Sequence, residues 1–72
     1  MTREEIFAAI NKERDRQDDI HPGSQPFLAK PMSILAEECG EVAHAVNEAD
    51  RENLIEELIH VAATATRWLE YL

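Results

Sequence analysis

Apolar residues recur at helical spacing in three stretches of the 72-residue chain, and the segments between them carry signals that stop helices. Thr2, followed by Arg3, Glu4 and Glu5, has the form of a capping box and predicts a first helix, with Ile6, Phe7 and Ile10 on its apolar face. At the same spacing that face continues as Glu13, Arg14 and Gln17. The stripe turns polar, so either the second half of the helix meets solvent or Arg14 and Gln17 line the rim of a polar pocket. From Ile20 to Pro31 the sequence His21-Pro22-Gly23-Ser24-Gln25-Pro26-Phe27 cannot continue a helix and predicts a long loop, pinned to the core by Phe27 and Leu28. His21 reads as a solvated loop histidine.

Pro31 suits the first turn of a second helix, just after Lys30. In the stretch Ser33 to Ala49, the residues Ile34, Leu35, Val42, Ala45, Val46 and Ala49 share an arc of about 120°. The opposite face carries Ala36, Gly40, Ala43 and Asn47, small enough to let another helix approach closely. Residues 47–50 break the pattern, with Asp50 as the N-cap of a third helix that runs to the C-terminus. The apolar arc of that helix, Leu54, Ile55, Leu58, Val61, Ala62, Ala65, Leu69 and Leu72 with Ile59 at its edge, covers about 160° and needs more than one neighbour. Beside it runs a polar and aromatic stripe of Glu57, His60, Thr64, Trp68 and Tyr71. The expected fold is all-α, one domain over residues 1–72. Its three helices include an antiparallel helix 2/helix 3 hairpin and complete a bundle by oligomerisation.

Charge changes the picture of the second helix. Glu38 falls inside its core-facing arc, Glu41 sits at the edge of the arc and Glu37 one step further round. Carboxylates that converge on a core repel one another and pair, neutralise or bind a cation. The hairpin would bring Glu57 and His60 opposite Glu38 and Glu41, so that four potential ligands meet at one level. Fifteen acidic against seven basic residues give a formal charge of −8. That balance disfavours a nucleic acid polymer or an anionic membrane as partner and suits cation binding. A single cysteine, Cys39, excludes an intrachain disulfide, and no apolar run is long enough for a signal peptide or a membrane span, so the chain reads as cytoplasmic.

Glu37-Glu38-Cys39-Gly40-Glu41, followed by Glu57-Leu58-Ile59-His60, resembles the EExxE…ExxD signature of the MazG-like, all-α nucleoside triphosphate pyrophosphohydrolases. Glu13-Arg14 and Gln17 resemble the ER…Q pattern near the start of short, phage-type members. His60 departs from the pattern, standing where the family places Asp. The resemblance implies that Glu37, Glu38, Glu41 and Glu57 hold magnesium, with manganese as the alternative. An NTP or dNTP is then split by water into a nucleoside monophosphate and pyrophosphate, in a dimer or tetramer that keeps the nucleotide pool clean. Within that frame Glu38, Glu41, Glu57 and His60 are the expected metal ligands, and Glu37 is a candidate to orient or deprotonate water. Arg14, Gln17 and Lys30, with Arg16 beside them, are candidate substrate contacts. Two readings compete with this one. The pairs Glu41-x-x-His44 and Glu57-x-x-His60 have the spacing of a ferritin-like di-iron bundle, and an idle helical module would oligomerise without catalysis.

Overall fold

The structure is a computed structural model that describes residues 1–22 and 29–72, position 29 by its backbone alone. Three helices make up the described residues: α1 (Arg3–Ile20), α2 (Ala29–Asn47) and α3 (Arg51–Glu70). The capping box forms as the sequence predicts. The Glu5 amide donates to Thr2 Oγ1 at 3.1 Å, and the Thr2 amide donates to Glu5 Oε1 at 2.9 Å. His21 caps the other end of α1, its amide bonded to the Gln17 carbonyl, and is exposed. Phe27 and Leu28, expected to pin the loop, lie outside the described residues. Pro31 is the third residue of α2 and is buried there.

The corner between α2 and α3 is tight and has an identifiable cause. Ala49 adopts φ 52°, the left-handed conformation usually left to glycine. Its amide bonds to the Val46 carbonyl at 3.1 Å, and the Asp50 amide bonds to the Ala45 carbonyl at 3.0 Å. This pair of bonds is a Schellman motif, which satisfies the last carbonyls of α2. Asp50 then serves as N-cap of α3 by accepting from the Asn53 amide at 3.1 Å, so one residue closes one helix and opens the next.

Both α1 and α2 pack against α3. Along α1 and α3 the contacts advance together, Glu13 lying by His60 and Gln17 by Thr64. The face that α3 turns to its neighbours is largely the polar stripe. Its two buried residues are Ala63 and Thr64. Ala63 lies about 140° round the helix from Leu58, the middle of the apolar arc. Leu58 is 50% exposed and Leu69 70%, while Leu54, Ile55, Val61, Ala62 and Ala65 are half-buried. Phe7 is also 58% exposed, despite its place in the apolar stripe of α1. Among the described residues no large side chain is fully buried, and besides Pro31 the buried apolar side chains are Ala45 and Ala63. The small-residue face of α2 is likewise open, and a Cβ added at Gly40 would meet nothing within 4 Å.

Candidate metal centre

Three helices converge on the imidazole of His60. Because His60 follows Glu57 by three residues on α3, both side chains leave the same side of the helix. Glu38 reaches them from α2, where it lies on the same face as the buried Ala45, about two turns before it, and is itself half-buried. His60 Nδ1 stands 3.4 Å from Glu57 Oε2 and 3.7 Å from Glu38 Oε2. One ligand atom from each of the three residues fits within a sphere where all lie within 4.8 Å of one another. Partial burial holds the Glu38 carboxyl above its ordinary range. The nearby carboxylates of Glu57, Glu41 and Glu13 push it the same way, and His60 opposes them.

On the far side of the ring, His60 Nε2 stands 3.8 Å from Glu13 Oε2 of α1. Glu13 is well covered, its side chain 10% exposed, and it accepts two hydrogen bonds at 2.7 Å from the Nε and Nη2 of Arg16. Those bonds hold its carboxyl below the ordinary range. A groove of about 470 Å³ opens beside this contact, lined by Lys12, Glu13, Arg16, Glu56, Ile59 and His60 among others.

The remaining sequence-predicted residues fall into two groups. Glu37 and Glu41 are exposed on α2 and outside the tight group, although the charge of Glu41 is felt by Glu38. Lys30 is exposed in the first turn of α2. Arg14 and Gln17 instead tie α1 to α3. Arg14 is buried, and its guanidinium donates through Nε and Nη2 to the Glu70 carboxylate, the latter at 2.9 Å, while Nη2 also lies 3.0 Å from Asp18. The Glu70 bonds push Arg14 further above its ordinary range and pull Glu70 down. Arg14 Nη1 also donates to Gln17 Oε1 at 3.2 Å, and Gln17 Nε2 donates to Thr64 Oγ1 at 3.4 Å. The polar stripe Glu13, Arg14 and Gln17 of α1 therefore packs on a neighbour, while the rest of the second half of the helix is exposed. In the di-iron alternative both Glu-x-x-His pairs meet at one level. Here Glu57 and His60 join the group, whereas Glu41 and His44 are exposed and outside it among the described residues.

Glu13 stands in the polar stripe and in the ER…Q pattern of the sequence, but its spacing alone gave it no role at the site. Its signal was present, since it continues the stripe of Ile6 and Ile10 that packs toward α3, and an acid on such a face has a reason to be there.

The family model for the MazG nucleotide pyrophosphohydrolase domain matches residues 28–64, just over half of the chain. The chain belongs to the MazG family. The match covers α2 and most of α3, and so includes Glu38, Glu57 and His60, whereas Glu13 of α1 lies outside the MazG match. The all-helical architecture of the described residues is that of a MazG domain. Neither curated proteins nor solved structures give a match to the chain.

Proposed function

We propose that Glu38, Glu57 and His60 hold a divalent cation, magnesium or manganese, and that the protein hydrolyses a nucleoside or deoxynucleoside triphosphate to the monophosphate and pyrophosphate. The observation that carries this reading is the convergence of the three side chains within 4.8 Å in a chain of the MazG family. Two carboxylates and an imidazole suit such a cation, which would also relieve the crowding that raises Glu38. When bound, the cation supplies neutralisation of phosphate charge. Glu41, one turn beyond Glu38 at the edge of the group, is an additional ligand in this reading. Glu37 orients the water and takes its proton as the new bond to the α-phosphorus forms and the bridge to the β-phosphate breaks. Lys30, exposed in the first turn of α2, is a candidate for a cationic contact to phosphate. Arg14 and Gln17, engaged with Glu70 and Thr64, serve the substrate indirectly by seating α1.

The same reading treats residues 1–72 as one domain, with α2 and α3 as an antiparallel hairpin and the open apolar arc of α3 covered by a second copy in a dimer or tetramer. The exposed Leu58 and Leu69 support it, as does the lack of a fully buried large side chain among the described residues. No helix of the described residues is long and apolar enough to cross a membrane. A cytoplasmic setting and a free nucleotide as partner, with no nucleic acid polymer, accord with the charge of −8.

The deciding experiment is pyrophosphate release from a panel of NTPs and dNTPs with magnesium and with manganese, comparing the wild type with Glu57→Gln. Metal-dependent release lost in the folded variant is the expected result. Equal turnover by the two proteins would remove the cluster from the reaction.

A further inference from the structure

The geometry points to Glu13 of α1 as a positioning residue that orients the His60 imidazole, leaving Nδ1 to face the cation held with Glu38 and Glu57. This inference rests on the cation site proposed above and extends it to a helix outside the family match. An imidazole can give a lone pair to a metal from one nitrogen when the other carries the proton and has an acceptor for it. The two nitrogens of His60 face different sets of neighbours. Nδ1 is the atom near Glu57 and Glu38, at 3.4 and 3.7 Å, and Nε2 is the atom near Glu13, at 3.8 Å. Histidine ligands commonly donate their second N–H to a carboxylate, which fixes the ring and raises its basicity.

Glu13 is itself held in place for this task. Its oxygens take both bonds from Arg16, and Oε2, the oxygen nearer His60, keeps capacity to accept from Nε2–H. The next residue, Arg14, anchors α1 to Glu70, and Gln17, one turn on, anchors it to Thr64. Both anchors follow Glu13 within about one turn and seat that part of α1 on α3. The Arg16 bonds favour the ionised form of Glu13, which keeps it an acceptor. A Glu-Arg pair with Gln three positions after the Arg therefore has a physical meaning in this fold: one side chain for the ring, two for the seat of the helix.

The test compares manganese affinity, read by electron paramagnetic resonance, in the wild type, Glu13→Gln and Glu13→Met. The amide oxygen of Gln can still accept from Nε2–H, whereas Met keeps the length and removes the acceptor. Glu13→Met should bind manganese about tenfold to 100-fold more weakly and lose the spin-echo modulation of a coordinated imidazole nitrogen, while Glu13→Gln should stay within a few-fold. Unchanged affinity and modulation in Glu13→Met, with a wild type that binds, overturns the role of Glu13 and leaves the cation site standing. A wild type that binds no manganese overturns both. Should Glu13→Met fail to fold, the cadmium-loaded wild type decides. Its 15N spectrum, with the His60 signals assigned against His60→Asp, should show Nδ1 coupled to cadmium and Nε2 protonated. Coupling at Nε2 overturns the inference.

Discussion

His60 is the residue at which this chain leaves the pattern it otherwise matches, and the structure gives that departure a geometric meaning. Nδ1 is bonded to Cγ, as the carboxylate oxygens of aspartate are, so it stands as far along the side chain as the oxygen it replaces. Nε2 reaches beyond, toward Glu13 at 3.8 Å. Imidazole suits manganese and softer metals better than magnesium, which prefers oxygen ligands. His60→Asp should therefore raise magnesium affinity relative to manganese, and titration calorimetry with each ion would measure the ratio. An unchanged ratio would place His60 outside the ligand set. Glu38 makes a second, separate case. Its carboxyl is half-buried among other acids, so Glu38→Gln should melt at the same temperature as the metal-free wild type or higher, while losing at least about tenfold in metal affinity. A lower melting temperature together with intact binding would show that the charge is structural.

At the scale of elements, the first helix is the part least legible from sequence. Its start was written in Thr2 and Glu5, and the corner in Asp50, because local capping depends on residues a few positions apart. The core-facing place of Glu38 was legible from periodicity for the same reason. Which face of α3 turns inward was not, since burial of Ala63 and Thr64 ahead of the leucines depends on partners up to 47 positions away, as for Gln17 and Thr64. Nor could spacing assign Arg14 to Glu70, 56 positions on. That ion pair has a pH signature. Glu70 is held below the ordinary carboxylate value near 4.5, so its contribution is present above that value and is lost as pH falls through the lowered one. Glu70 is half-exposed, which limits the pair to about 0.2–1 kcal/mol. Glu70→Gln should accordingly melt below the wild type at pH 7, by roughly 1–8 °C, with the gap closing in acid below about pH 4.5. A gap that is constant across that range would show that the pair contributes nothing.

For the whole molecule, the inverted polarity of α3 sets the expected state of assembly. A helix that buries a threonine and half-exposes its leucines is stable as part of a larger body, and the proposed second copy supplies one. Leu69→Glu, at a position 70% exposed in the single chain, should cost a monomer almost nothing yet shift sedimentation from oligomer to monomer. A wild type that sediments as a folded monomer at micromolar concentration would refute the assembly. The corner at Ala49 has a different reach. With the Schellman bonds and the Asp50 cap sharing adjacent residues, no slack separates α2 from α3, and the link works as a phase setting between two screws. One extra residue there would turn α3 by about 100° and advance it by about 1.5 Å. Ile59 would then stand where His60 stands and Glu56 where Glu57 stands. Such an insertion should leave helical content intact by circular dichroism and abolish metal binding, so the length of this corner is as strict a requirement of the site as the identity of its ligands.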